Sequence, residues 1–377
     1  MDIEKLRQEF PVTANRIFFD HAKVSPLPRR VREAVDAFTR DACDFGTAHY
    51  AEWIRQTDRV RESFAQWIGA RPEEVAFVKN TSEGISIVAN GLDWREGDNV
   101  VIPNIEFPAN VYPWLNLERF KVETRFVPAV DGRVLFDDIV SRVDGRTRIV
   151  SVSSVECNSG FRNDLRRIGA FCREKDVLFC VDAIQSLGAL SLDVEKDHID
   201  FLAADGHKWL LSVEGLGGFY IRRQLLEKIH PAVVGWDSVV NAHDFMNYDF
   251  TFRPDARRFE EGSFNTLSIH AFGAALALLR ETGIGRIEAR IMELGDRILE
   301  HLRRGGHEIL SSTRPDERSG IIAFSPDADL VKLAAYMDEN KVSLTVRDGL
   351  VRISPHYYNN EDEIGHFFDL LETGVRL

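Results

Sequence analysis

Two charged residues stand at the ends of apolar segments of the chain. Asp182 ends the apolar run LFCVD, and Lys208 follows the run FLAA within the sequence DGHKW. A carboxylate delivered into apolar surroundings needs a partner cation, because burying an unpaired charge is costly. A crowded lysine loses its proton readily and becomes a nucleophile toward aldehydes. The two residues therefore indicate an aldehyde-binding lysine beside a carboxylate that balances a cation.

A third segment has the chemistry of an anion site. The apolar run EVAFV is followed by the sequence KNTSEG, which contains Thr81 and Ser82, and then by a helical pattern. Hydroxyl groups and free N–H groups at a helix N-terminus bind phosphate. Taken singly, the three features have ordinary explanations as a surface lysine, a turn carboxylate and a helix cap. Together they provide what pyridoxal phosphate requires: an aldehyde-accepting lysine, a partner for a ring cation and a phosphate site.

The elements that must position these residues follow an α/β pattern. From about residue 75, short apolar runs alternate with longer amphipathic stretches, which is typical of strands joined by crossover helices in a mostly parallel sheet. Functional groups in such sheets collect at the carboxyl ends of the strands. The predicted strands are 74–78, 99–103, 122–127, 147–153, 177–181, 201–204 and 217–221.

The C-terminal third of the chain predicts a smaller α+β domain. A long buried helix (268–282) and a charged amphipathic helix (284–304) precede it. Further predicted strands are 320–324, 342–345 and 351–354, with helices at 329–340 and 360–373. We therefore expect three parts: an N-terminal segment (1–15) that packs with the small domain, a large cofactor-binding domain (16–260), and a linking helix with the small domain (261–377).

Composition excludes several classes of protein. The chain has 377 residues, with 47 Lys and Arg against 60 Asp and Glu, so its net charge of -13 disfavours nucleic-acid binding. Its longest apolar stretch, residues 271–279, is too short for a membrane span, and the charged start predicts a cytoplasmic protein. Four cysteines without a CxxC pair disfavour both a disulfide framework and a metal site. No GxGxxG sequence follows the first strand, which disfavours a nucleotide-dependent dehydrogenase.

Several ordered motifs between residues 18 and 265 resemble a known family. They are FFDHAKVSPLP, FVKNTSEGI, DAIQSLGAL, ADGHKWL and RRFEEGSFN, with a weaker match at VRISPHYYNNEDEI. They look like the class V aminotransferase family of fold-type I pyridoxal phosphate enzymes, which includes cysteine desulfurases, kynureninase and isopenicillin N epimerase. The resemblance implies a seven-stranded, mostly parallel sheet flanked by helices, a smaller C-terminal domain, and a homodimer with a shared active site.

The same resemblance implies roles for individual residues. Lys208 would form the Schiff base with the cofactor and move a proton at the substrate Cα. Asp182 would keep the ring nitrogen protonated, which makes the ring an electron sink. The other cofactor-binding positions are Gln185 for the ring hydroxyl, Phe107 for stacking on the ring, Thr81, Ser82 and His207 for the phosphate, and Gly262 and Ser263, which match a stretch that reaches the phosphate of the neighbouring subunit.

The resemblance also implies a substrate site, with departures from the family pattern. Arg352 would clamp the substrate α-carboxylate, with Asn158 as a further substrate-binding candidate. Lys23 replaces a small residue and is either a solvent-exposed loop lysine or a second anchor for an acidic substrate tail. Asp205 stands where many desulfurases have a phosphate-binding serine, and an acid there is unfavourable unless it points away from the phosphate.

The reaction is constrained by the absence of one cysteine. Desulfurases that form a persulfide need a cysteine shortly before the carboxylate-binding arginine, but the sequence KVSLTVRDGLVR has none. Cys157 is expected near the side of the cofactor ring that faces the substrate, and we expect it to be an ordinary buried thiol. We predict an enzyme that acts on an L-α-amino acid by C–S β-elimination or transamination.

Four other activities remain alternatives: desulfuration, kynureninase-like hydrolysis, Cα epimerisation, and binding of the cofactor without catalysis. Epimerisation needs a second base on the opposite face of the cofactor, which Phe107 is expected to cover. Candidate second acids, each with an ordinary structural explanation too, are His49, Tyr50, His243 and Tyr357.

Overall fold

The computed structural model describes residues 2–376. Its strands are β1 (Ile17–Phe18), β2 (Val75–Val78), β3 (Asn99–Pro103), β4 (Glu123–Val127), β5 (Thr147–Ser153), β6 (Leu178–Asp182), β7 (Phe201–Asp205), β8 (Gly217–Ile221), β9 (Glu308–Ile309), β10 (Ile322–Ser325), β11 (Val342–Ser343), β12 (Thr345–Arg347) and β13 (Leu350–Ile353). Its α-helices are α1 (Ile3–Arg7), α2 (Arg29–Phe45), α3 (Tyr50–Ile68), α4 (Thr81–Gly91), α5 (Tyr112–Leu115), α6 (Phe136–Arg142), α7 (Leu165–Glu174), α8 (Thr266–Thr282), α9 (Ile284–Arg304), α10 (Leu330–Glu339) and α11 (Glu361–Gly374).

Seven strands form one large sheet in the order β2-β8-β7-β6-β5-β3-β4. The five strands from β7 to β4 pair in parallel, whereas β8 is antiparallel to both of its neighbours. Strands β2, β3, β7 and β8 are buried along their whole length, as expected for a sheet covered by helices on both faces. The predicted α/β fold with a seven-stranded, mostly parallel sheet is therefore confirmed.

The parallel strands bring their carboxyl ends to one edge of the sheet. In the register of β5, β6 and β7, Ser153 lies beside Asp182, and Asp182 lies beside Ala203. Helix α4 packs closely on β7, because a Cβ atom at Gly84 would lie 2.6 Å from the Cβ of Ala203. Only glycine permits this approach, and it carries the N-terminus of α4 toward the same edge.

The C-terminal part forms a four-stranded sheet in the order β12-β13-β10-β9. The single strand predicted at 342–345 is two strands in different sheets: β11 pairs in parallel with β1, and β12 pairs with β13. The N-terminal segment contacts this part through an ion pair of 2.9 Å between Arg7 and Glu363 and through Phe10, which stacks on Tyr358. The domain limits themselves stay a prediction. No helix within residues 2–376 is both long and apolar enough to cross a membrane.

Candidate active site

A cavity of about 240 Å³ lies where β6 and β7 end. Nine of the twelve residues predicted for the site line it: Lys23, Thr81, Ser82, Phe107, Asp182, Gln185, His207, Lys208 and Arg352. Three larger cavities, of about 640, 460 and 430 Å³, contain none of the twelve. The cavity of about 240 Å³ is therefore the candidate active site. It is smaller than the other three, but it is the one lined by the predicted residues.

Lys208 projects into this cavity from the turn after β7. It is 8% exposed, and its Nζ lies 5.5 Å from the centre of the Phe107 ring. Ser25 fixes the backbone here, since its Oγ donates a hydrogen bond of 2.5 Å to the carbonyl of Lys208. Burial lowers the pKa of the Lys208 amine, while the charge of Asp182 opposes that effect. A larger fraction of the amine is therefore uncharged and nucleophilic than at an exposed lysine.

Asp182 is the last residue of β6 and is almost fully buried. The backbone N–H of Ile184 donates a hydrogen bond of 3.0 Å to its Oδ1. Burial raises the pKa of this carboxyl from 3.8 to about 6, although the Ile184 hydrogen bond and the Lys208 charge act in the opposite direction. Groups of the protein therefore balance the negative charge of Asp182 only in part. A protonated ring nitrogen would supply the cation, so Asp182 fits pyridoxal phosphate.

Gln185 is fixed by two hydrogen bonds. Its Nε2 donates to the carbonyl of Ala22 (3.0 Å), and its Oε1 accepts from Nε1 of Trp209 (3.0 Å). An amide nitrogen carries two hydrogens, so the second remains for an acceptor in the cavity. This arrangement fits the predicted contact with the ring hydroxyl of the cofactor.

The N-terminus of α4 forms another wall of the cavity. Asn80 caps the helix, because its Oδ1 accepts a hydrogen bond from the backbone N–H of Glu83 (2.9 Å). The next two residues, Thr81 and Ser82, line the cavity, and the first N–H groups of a helix have no partner within it. Thr81 is positioned by β7, since its Oγ1 accepts from the backbone N–H of Asp205 (3.2 Å). These groups fit a phosphate.

Asp205 and His207 meet beside that wall. Oδ1 of Asp205 lies 3.0 Å from Nδ1 of His207. The alignment of these two atoms is too poor for a hydrogen bond, and neither atom has another hydrogen-bond partner within residues 2–376. This contact places the Asp205 carboxyl beside Nδ1 of His207 and leaves Nε2 of the same ring for an anion.

Arg352 enters the cavity from β13. Its Nη1 donates a hydrogen bond of 2.7 Å to the carbonyl of Cys157, and its Nη2 lies 3.6 Å from Oδ1 of Asp20. Its buried Nε has no hydrogen-bond partner in the described part of the chain. Burial lowers the pKa of the guanidinium, and it raises the pKa of Asp20 against the effect of Thr345 and Arg352. A carboxylate ligand would add both a counter-ion and an acceptor for the unpaired donor.

Two buried glutamates near Asp182 were missed by the sequence reasoning. Both oxygens of Glu106 accept hydrogen bonds of 2.5 Å from Ser153, one from its N–H and one from its Oγ. Burial raises the pKa of Glu106 to about 8, and the charge of Asp182 adds to this effect. Burial and Glu106 also raise the pKa of Glu156, whose Oε2 has no partner within residues 2–376. Burial therefore favours the uncharged form of both glutamates.

The structure does not bring every predicted residue to the cavity. Asn158 is half-buried beside Cys157, with 3.6 Å between its Oδ1 and Sγ, and does not line the cavity. Gly262 lies next to Trp236, and Ser263 is exposed. The substrate role of Asn158 and the cross-subunit roles of Gly262 and Ser263 stay predictions.

None of the four candidate second acids lines this cavity. Tyr50 and His243 line the cavity of about 460 Å³ instead. His49 is exposed and contacts Asp41 at 2.7 Å, whereas Tyr357 is fully buried. Their positions disfavour a role as a second base opposite Lys208.

Comparison with known proteins gives a consistent result. A family model described as Aminotransferase class-V matches residues 17–367. The chain is 30% identical to a probable cysteine desulfurase of Methanothermobacter thermautotrophicus, over 99% of this chain and 98% of the relative.

Two solved structures also resemble this fold. The apo structure of a cysteine desulfurase from Thermococcus onnurineus NA1 has a TM-score of 0.91 and 26% identity, covering 99% of this chain and 98% of that one. A lysine-to-alanine mutant of C-DES, with glycine covalently linked to its PLP cofactor, has a TM-score of 0.90 and 25% identity, covering 97% and 98%. C-DES is described as a cystine C–S lyase.

Proposed function

The chain belongs to the class V aminotransferase family of pyridoxal phosphate-dependent enzymes, and we propose that it catalyses C–S β-elimination from an L-α-amino acid. The observation that carries the proposal is the placement of Lys208 and Asp182 in one buried cavity, next to a helix N-terminus and Arg352. Transamination is the second candidate, because it needs the same groups and the matching family model is that of the aminotransferases.

The cofactor-binding residues have separate tasks in this proposal. Lys208 binds the cofactor aldehyde, and Asp182 pairs with the ring nitrogen. Gln185 donates to the ring hydroxyl, and Phe107 covers one face of the ring. Bound pyridoxal phosphate supplies an electron sink for the charge released when a bond at the substrate Cα breaks. Thr81, Ser82 and His207 would hold the phosphate together with the N-terminus of α4.

Lys208 and Arg352 act on the substrate. Arg352 orients the α-carboxylate, which fixes the Cα–H bond relative to the amine of Lys208. Released when the substrate amine takes its place on the aldehyde, the amine of Lys208, with its lowered pKa, would take the proton from Cα, and in elimination the sulfur would leave Cβ as a thiolate and take up a proton. Because the four candidate second acids lie outside the cavity, proton transfer occurs on one face, which favours elimination or transamination over epimerisation.

The elimination proposal is supported by the positions of the cysteines. The segment from Lys341 to Arg352, which forms part of the cavity wall, contains no cysteine. Cys157 lines the cavity, but burial raises the pKa of its thiol to about 11. A persulfide-forming nucleophile is therefore disfavoured. C-DES, a cystine C–S lyase, has a similar fold over 97% of this chain, which supports the same chemistry here.

We also propose a cytoplasmic homodimer. The region 233–250 exposes a cluster of large apolar side chains: Val233, Val234, Trp236, Val240, Phe245, Met246, Tyr248 and Phe250. Exposed apolar clusters of this kind mark interaction surfaces. A second copy of the chain is the proposed occupant, because Gly262 lies against Trp236 and, with Ser263, matches the family stretch that serves the neighbouring subunit.

The test begins with the visible absorption spectrum of the purified holoenzyme. We expect a yellow protein that borohydride bleaches, and a colourless Lys208→Ala variant, with Lys228→Ala as a control at a lysine outside the cavity. The holoenzyme is then incubated with a panel of L-α-amino acids, and pyruvate, sulfide, alanine and keto acids are measured separately. Pyruvate with sulfide supports elimination, keto acid alone supports transamination, and alanine with sulfur bound to the protein would contradict both.

A further inference from the structure

Two cations in the cavity have no task in the chemistry described so far. They are Lys23, in the loop after β1, and Arg347, at the end of β12. Lys208, Asp182 and Arg352 already match the aldehyde, the ring nitrogen and the α-carboxylate. The phosphate has the N-terminus of α4, and Asp205 has His207. A simple L-α-amino acid therefore offers no anionic group of its own to Lys23 and Arg347.

The protein itself offers these two cations little compensation. Lys23 is exposed and takes part in no ion pair within residues 2–376, although its charge acts on Asp20 at longer range. Arg347 has one, with 3.4 Å between its Nε and Oδ2 of the adjacent Asp348, and its side chain is 48% exposed. Such an exposed pair contributes little. Arg347 also lies close enough to Arg352 for its charge to act on that guanidinium. Asp20, 3.6 Å from Nη2 of Arg352, offsets part of this repulsion, and a further anion beside Arg347 would offset more of it.

We propose that the substrate is an L-α-amino acid whose side chain ends in a second anionic group, held by Lys23 and Arg347. This inference rests on the proposed function, because it assumes that the α-carboxylate occupies Arg352. Lys23 and Arg347 come from segments more than 300 residues apart in the chain, yet they line one cavity. The half-exposed position of Arg347 at the mouth suits the distal end of a substrate, whereas the buried Arg352 suits the end next to Cα.

Two matched probes separate the second anion from every other feature of the substrate. S-carboxymethyl-L-cysteine has a terminal carboxylate, and its carboxamide analogue has the same shape without the charge. Both are mixed rapidly with the holoenzyme. The amplitude of the first change of the visible absorption band, before product forms, is measured at each probe concentration and gives a dissociation constant. We expect the carboxylate probe to bind about 4- to 25-fold more tightly, since each partly exposed pair contributes about two- to fivefold.

Charge-neutral variants then show which residues cause the preference for the carboxylate probe over the carboxamide probe. Lys23→Gln and Arg347→Gln should each reduce it by about two- to fivefold, and the double variant should abolish it, while the affinity for the carboxamide probe changes less than twofold. Arg303→Gln, an exposed arginine that does not line the cavity, is the matched control and should leave the preference unchanged.

Three results would overturn the inference. The first is equal binding of the two probes by the wild-type holoenzyme. The second is an equal loss of affinity for the two probes in Arg347→Gln. That result would mean that Arg347 binds the α-carboxylate together with Arg352. The third is binding of L-alanine but of neither probe. A holoenzyme whose visible band responds to no amino acid would instead contradict the proposed function.

Discussion

Asp182→Asn should stabilise the cofactor-free protein at neutral pH. The substitution keeps the size of the side chain and an oxygen that accepts from the N–H of Ile184, but it removes the charge. Burial raises the pKa of Asp182 from 3.8 to about 6. At 1.36 kcal/mol for each pKa unit, this difference costs the folded state about 3 kcal/mol at pH 7.

The sign of the pH dependence follows from the direction of the shift. Below pH 3.8 the carboxyl is protonated in both the folded and the unfolded chain, so it has no effect on stability. Between pH 3.8 and 6 the unfolded chain loses the proton while the folded chain keeps it, so stability falls as pH rises. Above pH 6 the cost is constant. The gain from Asp182→Asn should be about 3 kcal/mol at pH 8 and about half of that at pH 5.

Urea unfolding of the cofactor-free wild type and variant at both pH values measures this gain. Asp255→Asn is the control, because Asp255 is also buried but accepts hydrogen bonds from the N–H (3.0 Å) and Nη2 (2.6 Å) of Arg257. Burial tends to raise the pKa of Asp255, but these bonds lower it overall. Asp255→Asn should therefore destabilise the protein by about 1–2 kcal/mol.

Pyridoxal phosphate should stabilise the wild type and the Asp182→Asn variant to different extents. A cationic ring nitrogen beside the carboxylate would offset the cost of burial, so wild type should gain more stability from saturating pyridoxal phosphate than Asp182→Asn does. A cofactor-free Asp182→Asn protein that is no more stable than wild type at pH 8 would contradict this prediction. It would mean that the carboxylate already has a sufficient partner within the protein.

Three further results are expected from the site. Cys157→Ala should keep C–S cleavage within about twofold of wild type in pyruvate and sulfide assays, because a thiol with a pKa of about 11 is only about 0.01% ionised at pH 7; loss of sulfide release alone would show that this thiol is the nucleophile. Thr81→Ala should weaken cofactor binding about threefold to tenfold in an absorbance titration by removing a hydroxyl at the phosphate site, and unchanged binding would place the phosphate elsewhere. Arg352→Lys should raise KM about tenfold or more with a smaller effect on kcat, since an ammonium cannot form the bidentate contact; an unchanged KM would exclude the carboxylate role.

The central strands and their ends could be predicted from the sequence. Most strands of the large sheet are compact apolar runs, because they are buried, and β5, β6 and β7 each end in a polar residue. Asp182 and Asp205 are the final residues of β6 and β7, one residue later than the predicted strand ends. Lys208 then follows in the turn. The lysine and carboxylate could be recognised together because parallel strands bring their carboxyl ends to one edge.

The opposite wall of the cavity could not be predicted in the same way. Arg347 lies in a polar loop sequence, VRDG, and nothing local distinguishes it from a solvated arginine. Its position depends on β12 pairing with β13, and on β11, a few residues earlier, pairing with β1 more than 300 residues away. Glu106 was missed for a related reason. A glutamate after a strand is normally exposed, and only its contacts with Ser153 on the neighbouring β5 show that it is buried.

The burial of Glu106 and Glu156 bears on how Asp182 can remain charged. Three carboxyl groups share this region: the charge of Asp182 raises the pKa of both glutamates, and Glu106 also raises that of Glu156. The pKa of Glu106 rises to about 8 and that of Asp182 only to about 6, so Asp182 ionises before Glu106 as pH rises, and burial favours the uncharged form of Glu156 as well. Among these three groups, the negative charge is thereby favoured on Asp182, the member that lines the cavity. A cationic ring nitrogen can reach Asp182 there, whereas Glu106 and Glu156 do not line the cavity.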